Sequence, residues 1–116
     1  MTQLPHFTQI SDLAMLDAAI AESLERPVLI FKHSRTCGTS FEALDELRAF
    51  VERSGSAATY KMITVQSHRH LSDEVAARLG VRHETPQAIL LRGGRPVWRA
   101  SHFRITADEL NRALAN

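Results

Sequence analysis

The chain has 116 residues, 44% of them hydrophobic, which is long and apolar enough for one compact domain with a buried core. Its formal net charge of +1 gives no electrostatic basis for nucleic-acid binding. A single cysteine excludes an internal disulfide and a zinc site built from several thiolates. No apolar stretch approaches the roughly 20 residues of a membrane-spanning helix. The first residues lack the basic and apolar segments of a signal peptide. We therefore expect a cytoplasmic protein that binds neither nucleic acid nor membrane.

The N-terminal quarter of the chain predicts a helix followed by a strand. Ser11 is placed to cap the helix, and Pro27 ends it. Its apolar residues recur at helical spacing, at Leu13, Leu16, Ile20 and Leu24. Val28 to Phe31 is a continuous apolar run, which is typical of a strand covered on both faces. Residues 1–27 are therefore interpreted as a helical extension of a core that spans residues 28–116.

A second helix is predicted shortly after this strand. Thr39 and Glu42 have the spacing of a capping box. The apolar stripe of this helix stops near Ser54–Gly55 and contains Phe41, Leu44, Leu47, Phe50 and Val51. Cys37 falls just before it, where unpaired backbone N–H groups and the helix dipole favour thiolate over thiol. Ser40 follows three residues later, where a dithiol motif carries its second cysteine, so Cys37 has no partner within the chain.

The second half of the chain predicts three strands and two helices. The strands are expected at Tyr60–Val65, Ala88–Leu91 and Pro96–Ala100. Gly93–Gly94 predicts a hairpin between the last two. Ser72 is placed to open one helix, which ends at Gly80. Thr106 and Glu109 form a capping box for the final helix.

The predicted element order is therefore α-β-α-β-α-β-β-α. Strands that alternate with helices imply parallel pairing through right-handed crossovers, and the closing hairpin adds an antiparallel strand. We expect an α/β fold with a four-stranded mixed sheet and helices on both faces.

This order, with a cysteine after the first strand and a proline before the third, resembles the thioredoxin fold. In that fold the peptide bond before this proline is cis, and the proline faces the active-site cysteine. The resemblance implies that Pro86 faces Cys37 and that the backbone of Thr85 aligns an extended substrate beside the thiol.

Three separated segments are similar to a narrower group, the monothiol bacilliredoxin (YtxJ-like) family. They are Phe31-Lys32-His33-Ser34-Arg35-Thr36-Cys37-Gly38-Thr39-Ser40, Gly80-Val81-Arg82-His83-Glu84-Thr85-Pro86-Gln87, and Trp98-Arg99-Ala100-Ser101-His102-Phe103-Arg104-Ile105-Thr106. The chain departs from that family at Gly38-Thr39, because its members carry Pro-Ile between the cysteine and the serine. The departure leaves open which electrophile the thiol prefers.

The resemblance implies disulfide exchange by a single thiol. Cys37 would attack a low-molecular-weight thiol, suspected to be bacillithiol, that caps a cysteine of a client protein. The client thiol would leave, and a second small thiol or another redoxin would regenerate Cys37. Bacillithiol would thus be a co-substrate, and we expect no tightly bound cofactor and no metal.

The candidate catalytic residues are Cys37 and Ser40. We expect Ser40 about one helical turn from Cys37, where its hydroxyl could donate a hydrogen bond to the thiolate. The candidate substrate-binding residues are Thr36, Gly38, Thr39, Thr85, Pro86 and His102. Lys32 and Arg35 could add positive potential near the sulfur. Three histidines, His33, His83 and His102, are candidates for proton transfer to the leaving thiol.

Two other functions stay open. Cys37-Gly38-Thr39-Ser40 resembles the Cys-Gly-Phe-Ser motif of monothiol glutaredoxins, which hold an iron–sulfur cluster between two subunits. The chain lacks their Gly-Gly-Cys-Asp-like glutathione-binding segment. The other alternative is a non-catalytic interaction module, because a fold alone does not fix a function.

Overall fold

The computed structural model describes residues 7–54 and 57–115, which form one five-stranded sheet with helices on both faces. The strands are β1 (Phe7–Gln9), β2 (Val28–His33), β3 (Thr59–Thr64), β4 (Gln87–Arg92) and β5 (Arg95–Ser101). The helices are α1 (Leu13–Glu22), α2 (Gly38–Ser54), α3 (Arg69–Leu79) and α4 (Ala107–Ala115), and a short 3-10 helix (His102–Arg104) precedes α4. In these ranges no helix combines the length and apolar composition that a bilayer crossing requires. The predicted fold class is confirmed, with one strand more than expected.

The strands lie in the order β1-β3-β2-β4-β5. β3 runs parallel to both β1 and β2, whereas β4 runs antiparallel to β2 and to β5. The parallel crossover expected for Ala88–Leu91 is therefore wrong. The pairing of Val28 with Leu91 and of Lys32 with Gln87 shows that β4 starts where β2 ends. The connection through α3 therefore joins β3 to β4 at the same end of the sheet, and the chain reverses its direction when it enters β4.

The N-terminal segment contributes a strand as well as a helix. β1 pairs with β3 through Phe7 and Tyr60 at one end and Gln9 and Met62 at the other. Only Phe7 of its three side chains is buried, so the segment shows no periodicity from which a strand could be predicted. The interpretation of residues 1–27 as a helical extension alone is corrected, and residues 1–6 lie outside the described ranges.

Two apolar layers hold the helices against the sheet. Helices α2 and α4 cover one face, and helices α1 and α3 cover the other. All six residues of β2 are buried, as expected for a strand covered on both faces. Phe31 packs in the α2 layer and Ile30 in the α1 layer. The strand extends past the apolar run to Lys32 and His33, so two titratable side chains are buried at its end.

Three predicted helix starts are displaced in the structure. Asp12, rather than Ser11, caps α1, because its carboxylate accepts a hydrogen bond from Met15 N at 2.8 Å. α2 begins at Gly38, so Thr39 lies inside its first turn and Glu42 does not form a capping box with it. α3 begins at Arg69, which places Ser72 inside the helix, where it is fully buried. The end predicted for α2 is confirmed at Ser54, and Gly55 lies outside the described residues.

The other predicted turns and caps are confirmed. Gly80 ends α3 with a φ of 65°, and its N–H donates to Ala76 O. Gly93 and Gly94 form the turn between β4 and β5. Thr106 Oγ1 accepts a hydrogen bond from Glu109 N at 3.1 Å and so caps α4.

The cap of α1 gives a paired test of the fold. Asp12→Ala removes the carboxylate that accepts from Met15 N, and we expect the free energy of unfolding to fall by about 1 kcal/mol. Ser11→Ala changes an exposed neighbour and should alter it by less than about 0.5 kcal/mol. Urea denaturation of both variants checks this. A larger loss for Ser11→Ala than for Asp12→Ala would contradict the assigned cap.

Candidate active site

One edge of the sheet brings the two predicted site segments together. β2 ends at His33, which pairs with Thr64 of β3, and Lys32 pairs with Gln87 of β4. The chain leaves this edge toward Cys37 and enters it again through Pro86. The loop before α2 and the loop before β4 therefore lie at the same edge.

Cys37 occupies the N-cap position of α2. Its carbonyl oxygen accepts hydrogen bonds from Ser40 N at 3.0 Å and Phe41 N at 3.4 Å, and its own N–H donates to Ser34 O at 3.4 Å. The residue is a free cysteine and is partly exposed. The thiol thus stands at the positive end of a 17-residue helix, where a disulfide can reach it.

The Ser40 hydroxyl is buried between β2 and α2. Its oxygen accepts a hydrogen bond from Ser34 N at 3.0 Å and lies 2.8 Å from His33 Nδ1. Within the described ranges no hydrogen bond joins this hydroxyl to the thiol of Cys37. Ser40 instead ties the end of β2 to the first turn of α2. Its position supports the backbone that carries the thiol.

His33 belongs to this buried junction and not to a proton-transfer path at the surface. Its ring lies edge-on to Phe41 with centroids 4.9 Å apart, and also packs near Phe31. Burial lowers the pKa of His33, and the charge of Arg35 acts in the same direction. The imidazole is therefore held neutral.

Gln66 fixes the loop in front of Cys37, a role that no motif in the sequence indicates. Its Oε1 accepts from Arg35 N at 3.0 Å, while its Nε2 donates to Ser34 Oγ at 2.8 Å and to Thr36 Oγ1 at 3.2 Å. Gln66 follows β3, and the ends of adjacent parallel strands meet at one edge of a sheet. That rule was the available signal, because the residues around Gln66 form no motif.

The loop before β4 supplies the opposite side of the site. The Thr85–Pro86 peptide bond is cis, Pro86 is buried and Thr85 is partly exposed. Pro86 O accepts a hydrogen bond from His102 N at 3.2 Å. His102 has a φ of 54°, which is uncommon for a residue other than glycine, and its imidazole is exposed 3.8 Å from a Glu84 oxygen. The structure thus places His102 directly beside Pro86.

Thr36 and Gly38 lie on either side of Cys37, and both are exposed. A Cβ added at Gly38 would meet no atom within 4 Å. Packing therefore does not require glycine at this position. Gly38 thus belongs to the exposed surface beside the thiol and not to the core.

A cavity of about 390 Å³ opens between α2 and the segment that follows β5. Its lining residues are Thr39, Glu42, Ala43, Asp45, Glu46, His102, Phe103, Ile105 and Thr106. Glu46 accepts a hydrogen bond from Ala107 N at 2.8 Å, which fixes the inner wall. The volume falls within the range of roughly 300–1,000 Å³ found for small-molecule sites. Thr39 and His102, both predicted to bind substrate, line it together.

A second polar group lies on the α3 side of the edge. Lys32 is 0% exposed, and its Nζ lies 3.1 Å from His83 Nδ1. Ser72 Oγ lies 3.1 Å from the same nitrogen, and His83 Nε2 lies 3.2 Å from Thr85 Oγ1. Lys32 therefore points to the face covered by α1 and α3, away from α2. Lys32 comes two residues after buried Ile30, and side chains two residues apart in a strand share a face, so this spacing was the available sequence signal for a buried lysine.

Burial controls the charge of this group. It lowers the pKa of Lys32 from 10.5 to about 8, against the attraction of Asp73. It also lowers the pKa of His83, and the charges of Lys32 and Arg69 lower it further. At neutral pH the pair is therefore an ammonium facing a neutral imidazole.

His68 and His70 do not join the site. His68 Nδ1 lies 2.8 Å from Ser67 Oγ at the start of α3, and His70 is exposed on the same helix. Among the residues that the structure describes, no three His, Cys, Asp or Glu side chains are grouped so that they could hold a metal ion.

Comparison with known proteins gives a family match and a shared fold. The model of the family "Monothiol bacilliredoxin BrxC" matches residues 8–110. One solved structure is 32% identical, with 93% of each chain covered and a TM-score of 0.83; its description gives a thioredoxin fold and, as a provisional assignment, an oxidoreductase. Thioredoxin NaTrxh from Nicotiana alata is 15% identical, with a TM-score of 0.76 and coverage of 99% of this chain and 95% of that one. Fasciola hepatica thioredoxin is 18% identical, with a TM-score of 0.72 and coverage of 93% and 96%. These similarities show that the chain has the thioredoxin fold.

Substitution of Ser40 distinguishes two roles for its hydroxyl, support of the backbone and contact with the thiol. Ser40→Ala leaves Ser34 N and His33 Nδ1 without their partner, and we expect the free energy of unfolding to fall by about 1–3 kcal/mol. The rate of Cys37 alkylation against pH should keep its wild-type profile. Ser34→Ala is the control, since that hydroxyl bonds only at the surface and should cost less than about 1 kcal/mol. An alkylation profile displaced to higher pH in Ser40→Ala would contradict this role.

The buried amine of Lys32 should appear in the dependence of stability on pH. Its pKa is about 8 in the fold and 10.5 in the unfolded chain, so between these values the unfolded chain holds more protons. The free energy of unfolding therefore rises as the pH rises through this window. Lys32→Met should remove the rise and leave stability at neutral pH unchanged or higher. Urea titrations across the window check this, with Lys61→Met, which removes a partly buried ion pair to Glu22, as the control. Identical slopes in Lys32→Met and wild type would contradict it.

Proposed function

The chain belongs to the monothiol bacilliredoxin family, and we propose that it removes a low-molecular-weight thiol, bacillithiol, from mixed disulfides on client proteins. The fold and the family make it a thioredoxin-like thiol–disulfide oxidoreductase. One observation carries the finer proposal. Cys37, the one cysteine of the chain, caps α2 at the same edge where Thr85 and Pro86 enter the sheet.

The reaction is an exchange of one disulfide for another. The Cys37 thiolate attacks the sulfur of the cap, and the bond between the cap and the client sulfur breaks. The client leaves as a thiolate and takes a proton from solvent, while the cap stays on Cys37 as a new mixed disulfide. No second cysteine of this chain can resolve it. A small thiol or another redoxin attacks the cap, forms a disulfide with it and returns Cys37 as a thiolate.

The other site residues bind the two halves of the substrate in this proposal. The backbone of Thr85 aligns the client beside Cys37, and Pro86 forms the base of this binding surface. The cavity lined by Thr39 and His102 has room for the cap. Thr36 and Gly38 form the exposed surface around the thiol. Ser40 supports the helix start, and its hydrogen bonds favour this indirect role over contact with the thiolate.

The structure gives no support to the iron–sulfur alternative. The Gly93–Gly94 turn lies at the far end of β4 from Pro86, and Gly93 N donates to Ser23 O while Gly94 N donates to Ser23 Oγ. This glycine pair is therefore a hairpin turn distant from Cys37 and is not a counterpart of a glutathione-binding segment.

A reducing compartment would suit this chemistry, because it keeps the thiol available and supplies small thiols for regeneration. We accordingly propose a cytoplasmic location, S-thiolated proteins as clients, and no tightly bound cofactor.

Intact-mass spectrometry after mixing reduced protein with a bacillithiolated client tests the proposal. The wild type should gain the mass of one bacillithiol while the client loses it. Cys37→Ser, which keeps the shape of the side chain but lacks the nucleophile, should leave the client capped. A glutathione-capped client in parallel reports the preference for the cap. A wild type that leaves both clients capped would exclude the exchange function and favour the interaction module.

A further inference from the structure

A line of polar side chains connects the interior to the residue before Pro86. It runs from Lys32 and Ser72, both fully buried, through His83 to Thr85. Disulfide exchange at Cys37 does not itself need a buried amine. Burying an ammonium costs free energy unless hydrogen bonds compensate it. The group therefore calls for an explanation beyond the chemistry at the sulfur.

Counting donors and acceptors fixes the tautomer of His83. An ammonium can only donate, whereas a neutral imidazole has one N–H and one lone pair. The Lys32 ammonium lies 3.1 Å from His83 Nδ1, so Nδ1 must carry the lone pair. The N–H is then on Nε2, which donates to Thr85 Oγ1 at 3.2 Å. The hydrogen of the Thr85 hydroxyl is consequently directed away from His83 and can reach another acceptor.

The surrounding charges keep His83 in this neutral form. Lys32 faces it from β2 and Arg69 from α3, and both oppose a second proton on the ring. Asp73 of α3 and Glu84 of the same loop act in the opposite direction, but burial and the two cations outweigh them. His83 is therefore unsuited to the proton transfer that the sequence had suggested for it.

We propose that His83 and Lys32 are positioning residues of the exchange reaction. Lys32 holds His83 as the Nε2–H tautomer, and His83 turns the Thr85 hydroxyl into a hydrogen-bond donor for a peptide carbonyl of the bound client. The inference rests on the proposed function. It assigns the group to binding of the capped client and leaves the reactivity of Cys37 independent of it.

Two substitutions of one residue separate these roles. His83→Gln places an amide nitrogen near the position of Nε2 and keeps a donor for Thr85. His83→Asn is one methylene shorter, places its amide near Nδ1 and leaves Thr85 without that donor. Lys32→Met removes the ammonium and keeps a side chain of similar length.

The first measurement is steady-state transfer from a bacillithiol-capped peptide, with iodoacetamide alkylation of Cys37 alongside. We expect His83→Asn and Lys32→Met to raise KM about fivefold, the equivalent of one neutral hydrogen bond, with kcat nearly unchanged. His83→Gln should restore KM to near the wild-type value. All variants should alkylate at the wild-type rate. Equal losses of kcat and alkylation rate would show that the group acts on the thiol, and would overturn the inference.

The second measurement is independent of activity. The ring ¹⁵N chemical shifts of His83 should report the Nε2–H tautomer in the wild type at neutral pH. In Lys32→Met the constraint on Nδ1 is gone, and the Nδ1–H form should appear. Unchanged shifts in Lys32→Met would overturn the role of Lys32, whatever the kinetics show.

The outcomes for the inference and for the proposed function are distinct. A wild type that does not take the cap from the peptide overturns both. A wild type that takes it, with KM for His83→Asn equal to the wild-type KM, overturns the inference and leaves the proposed function standing.

Discussion

The antiparallel pairing of β4 with β2 determines where chemistry can occur in this protein. Because Gln87 pairs with Lys32, the chain enters β4 at the edge where it leaves β2. A parallel β4 would start at the other end of the sheet, and Pro86 would lie a full strand length from the loop that carries Cys37. The direction of one strand therefore decides whether the thiol and the Thr85–Pro86 segment can share a substrate.

The two faces of that edge stabilise the site in different ways. On the α2 side, Ser40 and His33 form a neutral junction that fixes the start of the helix behind the thiol. On the α3 side, Lys32 brings a positive charge into the core beside His83. An apolar residue of similar volume would often be at least as stable there. The charge is thus better explained by the orientation it imposes on its neighbours than by its contribution to stability.

Much of this arrangement could be predicted from local sequence. The apolar run of β2, the hairpin glycines and the position of Cys37 before a helix depend on neighbours along the chain. Contacts between distant segments determine three further features, which the local sequence does not indicate. They are the direction of β4, the hydrogen-bond partners of Ser40, and the hydrogen bonds of Gln66 to the loop before α2. Lys32 was predicted to add positive potential near the sulfur, but β2 extends past Phe31 and buries Lys32 on the α3 side beside His83, a partner that the local sequence does not indicate.

The two outer strands of the sheet limit how this protein can pair with other chains. Over the residues described, β1 spans three, which offers an incoming strand few backbone groups. The outer strand on the opposite side is β5. It contains Pro96, which has no N–H to donate, and the exposed, charged Arg95 and Arg99. In the part of the chain that the structure describes, both outer strands are thus poor templates for intermolecular sheet extension. The backbone hydrogen-bonding groups of the sheet are thereby kept for its own strands, and the sheet is protected from growing into an intermolecular assembly.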